Sequence, residues 1–417
     1  MNKLLREDKE LKYSIILPVR NVRPYIESAV NSVLQQKYSD YELIISDNQS
    51  DDGTSEYIDI INHKNVRVLH TPRSFTIAEH FNWAQSHAVG TWQIYLGGDD
   101  ALQPYFFTLA DKLTAIAESK KIYAISSRRG YYFWNGCQAT YGDTCIFYTA
   151  ENKYKILSAK KEMYKALCGQ LPCSYFDLPQ MYTTSLFHKS LIENAKRAQK
   201  GFFLSPYSVQ DAYLAAIAVL FSKKILRSEI PLGWVGTSPK TAFRESTWNN
   251  NFKLRIETGD FNIASCELYL WDAVLTLMDT VPQLKTKKIK SIFLKIKIFS
   301  FILSNIDSIK HPERYAALIK VIKINHCNLS VIKVYKLLHS FYEKQCTFIK
   351  SLFFFPWRCI RYFLKRILKL THLFSSNNGC SIQMSWSESP NMTMEKASEI
   401  IAELINTNIK IEKIKSS

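Results

Sequence analysis

Residues 13–54 read YSIILPVRNVRPYIESAVNSVLQQKYSDYELIISDNQSDDGT, and this stretch decides the fold. Its first five residues, Tyr13–Leu17, form a short apolar run that stops at Pro18, the mark of a buried strand. Pro24 can open a helix, and Ile26, Val30, Val33 and Leu34 then recur at helical spacing. Glu42–Ser46 is a second apolar run. It ends in a polar turn rich in Asp and Ser, with Gly53 as its pivot.

The alternation continues outward. Thr54–Ile61 reads as helix, Val66–His70 as strand, Ile77–Ala88 as helix, Trp92–Leu96 as a fourth strand and Ile122–Ser126 as a fifth. Short apolar strands separated by helix-length segments imply βαβ units and a mostly parallel sheet with helices on both faces. In such α/β sheets ligands bind beyond the carboxyl ends of the strands. The residues to watch are therefore Pro18–Asn21, Asp47–Gly53 and Gly97–Asp100.

Further along, Leu186–Gln199 and the strongly apolar Ala212–Phe221 read as helices. Residues 233–250, rich in Gly, Ser, Thr and Asn, read as a loop. From residue 252 the chain looks mainly α-helical, Ser375–Gly379 reads as a linker, and Met392–Leu404 as a last amphipathic helix. The expected division is an α/β domain over 12–245, a basic helical region over 252–374, and a tail with a short helix over 380–417.

Charge is distributed unevenly. The net charge is +17, and residues 285–369 hold 19 Lys and Arg against three acids, Asp307, Glu313 and Glu343. The basicity thus belongs to one segment and not to the N-terminal fold. The nine cysteines are irregularly spaced with no CxxC pair, which disfavours a zinc site or disulfide framework and suits free thiols in a reducing compartment. The N-terminus lacks an apolar leader, and no uncharged apolar window is long enough to span a bilayer. The expected location is cytoplasmic.

No GxGxxG follows the first strand and no P-loop occurs, which argues against a dinucleotide-binding or P-loop domain. Carboxylates stand at the strand ends instead. In DNQSDDGT (47–54) a carboxylate can accept from a ribose hydroxyl or a base N–H. A turn with a helix cap would use the same residues. A calcium loop fits poorly, because Asn48 takes its first position and a strand precedes it. In GGDD (97–100), adjacent carboxylates repel one another unless a divalent cation neutralises them, and the glycines permit close backbone approach. A loop leading into a capped helix is the competing reading.

Together these features resemble the family 2 glycosyltransferases of GT-A fold. Pro18, Asn21, Ser32, Gln36, Glu42, Asp47, Ser50, Asp52, Gly53 and Thr54 fall in register with that family's opening. Asn82, Ala88 and Gly90 match its helix before the metal motif, and GGDD matches its variable D-x-D-type motif. The likeness is clear over about residues 12–110, weaker to about 245, and absent beyond. Arg20 stands where the family has Tyr, Asn48 replaces an Asp, and Gly97 and Gly98 replace acidic positions.

The resemblance implies a nucleoside-diphosphate sugar bound by Pro18, Val19, Arg20, Asn21, Asp47, Asn48 and Asp99. It implies Mg²⁺ or Mn²⁺ held by Asp99 and Asp100, with Asp100 the main ligand. SVQDAYLAA (208–216) resembles the family's E-D-x-x-L motif with Gln210 for Glu, making Asp211 the expected general base. Lys240 or Arg244 could close over the diphosphate, or lie solvated at the surface. The implied reaction is inverting transfer to a hydroxyl of a lipid-linked or saccharide acceptor, in bacterial polysaccharide assembly such as O-antigen, capsule or exopolysaccharide. A polyprenyl-phosphate glycosyltransferase and a non-catalytic sugar-nucleotide-binding protein are the alternatives.

SLFFFPWRCIRYFLKRILKL (351–370) sets Trp357, Ile360, Leu364, Ile367 and Leu368 on one helical face, with Arg358, Arg361, Lys365 and Lys369 beside them. That pattern suits a helix in the interface of an anionic membrane, here the inner face of the plasma membrane. It equally suits a helix packed on its own domain with a solvated basic edge. Nucleic acid is not expected, since no recognisable binding motif accompanies the charge.

Overall fold

The computed structural model describes residues 11–137, 143–148, 153–205, 208–240, 265–306, 308–341, 381–385, 387, 391–405 and 412–413. The chain divides into two compact units. The first comprises Met1–Arg255, Tyr269–Lys285 and Gly379–Ser417, and the second Ile256–Leu268 and Thr286–Asn378.

The first unit is mixed α/β. Its opening elements are β1 (Tyr13–Val19), α1 (Ile26–Leu34), β2 (Tyr41–Asp47), α2 (Thr54–Asp59), β3 (Val66–His70), α3 (Ile77–Ser86) and β4 (Trp92–Tyr95). β1 pairs in parallel with β2 and with β4, and β2 pairs in parallel with β3. Every residue of β2 is buried, as a strand covered on both faces requires. The chain steps from β1 to β2 to β3 on one side, then returns to place β4 on the other side of β1. The strand order therefore reverses between β1 and β4, the point in such sheets where ligands bind beyond the strands' carboxyl ends.

Next come β5 (Ala101–Leu102), α4 (Phe106–Ser119), β6 (Ala124–Ser127), β7 (Gly130–Phe133), β8 (Asp143–Tyr148), β9 (Lys153–Ser158), α5 (Ala159–Leu167), β10 (Ser185–His188), α6 (Lys189–Ala198), α7 (Gln210–Phe221), β11 (Lys224–Ser228) and β12 (Gly233–Thr237). Among the described residues the larger sheet has nine strands and the smaller five, the latter ordered β13-β8-β7-β12-β5, with β13 at Ser381–Ser385.

Two expectations fail here. Leu186–His188 are not helical. They form β10, antiparallel to both β4 and β6, and the helix begins only at Lys189, where the His188 ring accepts from Ser190 N–H at 3.1 Å. Leu186 and Phe187 fit a buried strand as well as a helix face, so tertiary pairing decides between them. Residues 233–237 are not loop but β12, inside the smaller sheet. Their glycines mark close approach: a Cβ on Gly233 would lie 2.7 Å from the Ala101 carbonyl oxygen.

The first unit also takes in the C-terminal residues. β13 pairs antiparallel with β8, and the helix Met394–Leu404 carries Ser398, whose Oγ accepts from Trp234 Nε1 at 2.8 Å. Tyr132 donates its hydroxyl to the Met392 carbonyl at 2.8 Å.

The second unit is largely helical. It contains α9 (Ile292–Asn305) and α10 (Pro312–Ile324), preceded by α8 (Cys266–Thr280), which spans both units, and followed by a helix over 329–341. Ile298, Phe299, Leu318, Val321, Ile322 and Ile332 are buried in it. Among the described residues no helix is long and apolar enough to cross a membrane. The basic segment 351–370, the linker 375–379 and Arg244 lie outside the described residues.

Candidate active site

The loops after β1 and β2 are tied to each other. Asn21 takes a left-handed φ of 55°, donates its N–H to Ser50 Oγ at 2.8 Å, and accepts from Asp51 N–H at 2.9 Å. Asp47 is buried and accepts from Ser50 Oγ at 2.5 Å and Ser55 Oγ at 2.7 Å, with His70 Nδ1 at 3.5 Å. Asn48 is buried too. Its Oδ1 accepts from Phe75 N–H and Thr71 Oγ1, and its Nδ2 donates to the Phe75 carbonyl. Both side chains expected on the nucleotide also hold the local loops. Pro18 and Val19 lie in β1, where the Val19 carbonyl accepts from Asn48 N–H. Arg20 is exposed at the crevice rim and donates to Ser74 Oγ at 3.0 Å. Lys240 reaches the same rim, with Nζ 3.1 Å from the Asn21 carbonyl oxygen.

The loop after β4 separates its two carboxylates. Asp100 is 2% exposed. Its Oδ1 accepts from Gly236 N–H at 2.7 Å, and its Oδ2 accepts from Gly97 N–H at 3.1 Å and from the Thr183 hydroxyl. Three protein donors engage both oxygens, so Asp100, expected as the main metal ligand, also anchors the loop. Burial and the neighbouring Asp99 charge push its carboxyl up to about 7, against the pull of those donors. Asp99 is only partly buried. Its carbonyl accepts from Trp134 Nε1 at 2.8 Å, Ser238 hydrogen-bonds its carboxylate, and burial raises its pKa. The Asp99 carboxylate is held as well, by the Ser238 hydroxyl and by the backbone N–H groups of Ser238 and of Asp99 itself.

The glycines of GGDD follow from the same packing. A Cβ on Gly97 would lie 2.6 Å from both Asp100 Oδ2 and the Tyr182 hydroxyl, and one on Gly98 would lie 2.9 Å from Val22. An acidic side chain at Gly97 has no room.

Asp211 is the second residue of α7 and is partly buried. Its Oδ1 accepts from Ala212 N–H at 2.8 Å and from the Tyr175 hydroxyl at 3.1 Å. Burial raises its pKa, while Arg129 pulls it back. Tyr182 feels the field of all three acids: burial holds its hydroxyl proton tightly, and the charges of Asp100, Asp99 and Asp211 hold it tighter still. The segment carrying Tyr182 hooks beside the end of β4. Tyr95 N–H donates to the Met181 carbonyl and Thr183 N–H to the Tyr95 carbonyl, both at 2.7 Å. Met181 and Thr183 adopt positive φ of 54° and 34°. Such strain costs about 1–3 kcal/mol per residue and persists only where surrounding contacts enforce it.

Sequence reasoning missed Arg129, Tyr175, Tyr182, Thr183, Gly236 and Ser238. None stands in a spaced motif; only the glycine of Gly236 hinted at close approach. Conversely, several residues of the family pattern have packing roles. Leu102 N–H donates to Ser32 Oγ, Phe107 N–H to Gln36 Oε1, and Phe203 and Leu204 N–H to Asn82 Oδ1. A Cβ on Gly90 would sit 2.4 Å from Ser14 N.

With this geometry in place, comparison with known proteins is direct: the family model described as Glycosyl transferase family 2 matches residues 14–177. These residues are a family 2 glycosyltransferase domain. The abequosyltransferase RfbV of Salmonella typhimurium is 35% identical over 94 residues, 21% of this chain and 28% of that protein. A PGL/p-HBAD biosynthesis glycosyltransferase of Mycobacterium bovis is 30% identical over 107 residues, 25% of this chain and 40% of that protein. The chain therefore spans about two fifths of the length of the first relatives it matches. Among solved structures, S. aureus TarS 1–349 in complex with UDP-GlcNAc is 15% identical with a TM-score of 0.44, over 78% of this chain and 92% of that one. The matched part of the glycosyltransferase domain contains Asp47, Asp99, Asp100, Arg129 and Tyr175, and ends before Tyr182 and Asp211.

Proposed function

We propose that this domain transfers a glycosyl group from a nucleoside-diphosphate sugar to an acceptor hydroxyl, with inversion at the anomeric carbon. The observation that carries this reading is that the family 2 match over residues 14–177 includes Asp47, at the end of β2, and the Asp99–Asp100 pair, in the loop after β4, on either side of the point where the strand order reverses.

The donor's nucleoside would enter over Pro18, Val19, Arg20 and Asn21. Asp47 and Asn48 shape that floor through the loops they hold. Asp99 and Asp100 would hold Mg²⁺ or Mn²⁺, neutralising the leaving diphosphate. The residues fit such an ion: a hard cation of this size takes one or two carboxylates, with substrate phosphates and water completing its shell. Among the described residues no group of three or more His, Cys, Asp or Glu converges as a self-sufficient cage, so the diphosphate supplies much of the coordination. Asp100 keeps the loop in place, and Lys240 lies at the rim to meet the diphosphate. Asp211 would take the acceptor hydroxyl's proton through Oδ2, since both neighbouring donors engage Oδ1. The acceptor oxygen bonds to the anomeric carbon as the bond to the diphosphate breaks on the opposite face.

The relatives' names point to bacterial surface glycans, including the putative teichuronic acid biosynthesis glycosyltransferase TuaG of Bacillus subtilis, 34% identical over 89 residues. A lipid-linked or saccharide acceptor at the inner membrane face suits this setting. Two features support a peripheral membrane association. The segment 285–369 is strongly basic, and the helix 329–341 exposes Val331, Val334, Leu337, Leu338 and Phe341.

A panel of nucleotide-sugars, UDP-N-acetylglucosamine and GDP-mannose among them, tests the reading by Mn²⁺- or Mg²⁺-dependent binding and nucleoside diphosphate release. Binding of at least one donor, strengthened by the cation and abolished in Asp99→Asn, is expected. No binding by any donor would overturn it. Deletion of 351–370 should abolish salt-sensitive binding to phosphatidylserine vesicles; unchanged binding sinks the membrane role.

A further inference from the structure

Two neighbouring arginines occupy the bend between β6 and β7, in different surroundings. Arg128 pairs with Glu229 at 2.5 Å. Arg129 makes no ion pair among the described residues. Its Nη2 donates to Gln180 Oε1 at 2.7 Å, its guanidinium lies 4.4 Å from the centre of the Phe176 ring, and its buried Nε has no partner. The groups that hold it also hold the Asp211 environment. Gln180 Nε2 donates to the Tyr175 carbonyl at 3.0 Å, Tyr175 packs on Phe176 at 4.5 Å between ring centres, and the Tyr175 hydroxyl donates to Asp211. Asp177, close by in the chain to Phe176 and Gln180, has its own partners: Arg227 at 2.5 Å and Cys173 N–H at 3.0 Å.

We infer that Arg129 is a positioning residue for Asp211: its uncompensated guanidinium, fixed by Gln180 and Phe176, keeps the partly buried carboxylate ionised and ready to take the acceptor's proton. The catalytic part of this inference rests on the proposed base role of Asp211. The physical problem is that burial favours the neutral acid, which cannot accept a proton. A positive charge with no carboxylate of its own offsets that penalty, and the low local dielectric strengthens its effect. The groups facing Asp211 are the Tyr175 and Tyr182 hydroxyls and Arg129, and those facing Arg129 are Tyr131 and Cys173. Burial holds the Tyr131 and Tyr182 hydroxyls and the Cys173 thiol protonated, so Arg129 is the countercharge. Asp99 and Asp100 bear on Tyr182, but no hydrogen bond joins either to Asp211 among the described residues.

A double-mutant cycle in the full chain tests this without any substrate. Melting temperatures are measured at pH 5 and pH 8 for the parent, Arg129→Met, Asp211→Asn and the double variant. Removing the countercharge raises the Asp211 pKa further, so the penalty appears where the carboxylate must ionise, at high pH. Arg129→Met should therefore lose about 2–4 °C more at pH 8 than at pH 5. That excess should vanish in the Asp211→Asn background and in Arg129→Lys. Equal losses in both backgrounds at both pH values overturn the inference.

With a donor in hand, Arg129→Met should move the acidic limb of kcat to higher pH, costing about tenfold per pKa unit below it and little above. Donor KM should stay within about twofold, and Arg129→Lys should rescue. Loss of donor binding instead would assign Arg129 to the diphosphate. If Asp211→Asn retains full transfer, the base reading fails while the electrostatic coupling stands or falls by the melts.

Discussion

The backbone N–H of Gly236 donates to Oδ1 of Asp100 at 2.7 Å, across 136 residues of chain. This bond couples the loop after β4 to β12, and holds Asp100 as the more deeply buried of two adjacent aspartates.

Asp99→Asn and Asp100→Asn should therefore fail differently. Asp99→Asn is expected to abolish cation-dependent donor binding with a melting temperature near the parent's. Asp100→Asn replaces one acceptor oxygen by an amide among three donors, leaving at least one donor unsatisfied, at about 2–3 kcal/mol. Its melting temperature should fall markedly. Calorimetry beside nucleotide-binding titration separates the two, and matching behaviour would dissolve the distinction.

Gly236 tolerates no side chain. A Cβ there would lie 1.7 Å from the Asp99 carbonyl oxygen, so the backbone itself must move. Gly236→Ala should cost about 3 kcal/mol or more, at the upper end of overpacking penalties, and should displace both aspartates. Thermal melts showing parent-like stability would contradict this packing.

The acidic limb of activity should lie above the ordinary carboxylate range of about 4. Burial raises the Asp211 pKa, so the base is protonated, and kcat lost, as pH falls through that raised value, and kcat recovers above it. A kcat profile flat down to pH 4 would remove Asp211 from the base role. Asp211→Asn should reduce transfer at every pH while donor binding persists.

The C-terminal helix packs Met394, Ala397 and Ile401 into the domain core and adds a buried bond, Trp234 Nε1 to Ser398 Oγ. Ser398→Ala leaves the indole N–H unpaired and should cost about 1–3 kcal/mol. Trp234→Phe removes the donor as well as part of the ring. The two substitutions together should destabilise by less than the sum of the singles, because they share the bond. Additive losses in denaturant melts would show that the bond contributes nothing.

Much of the fold was legible because local patterns carried it. β1 to β4 are short apolar runs bounded by polar turns, and their limits were read to within two residues. β10 and β12 were not legible. Leu186–Phe187 and the glycines of 233–237 gain strand character only from partners distant in sequence. Within the site, Asp99, Asp100 and Asp211 stood out as carboxylates at element ends. Arg129, Tyr182 and Thr183 did not, since an arginine in a bend or a tyrosine in a loop carries no periodic or spaced signal.

The sequence by itself determined the α/β class, the three strand-end loops and the acids placed on them. Periodicity and residue type act locally, so each could be read from its neighbours. Tertiary structure alone decided what each acid does. Asp47 accepts from two serine hydroxyls, Asp100 from a threonine and two backbone amides, Asp99 from Ser238, and Asp211 from Tyr175 and Ala212. Whether a carboxylate is engaged or available depends on donors brought from elsewhere in the chain. That information resides in the packing and not in any one segment.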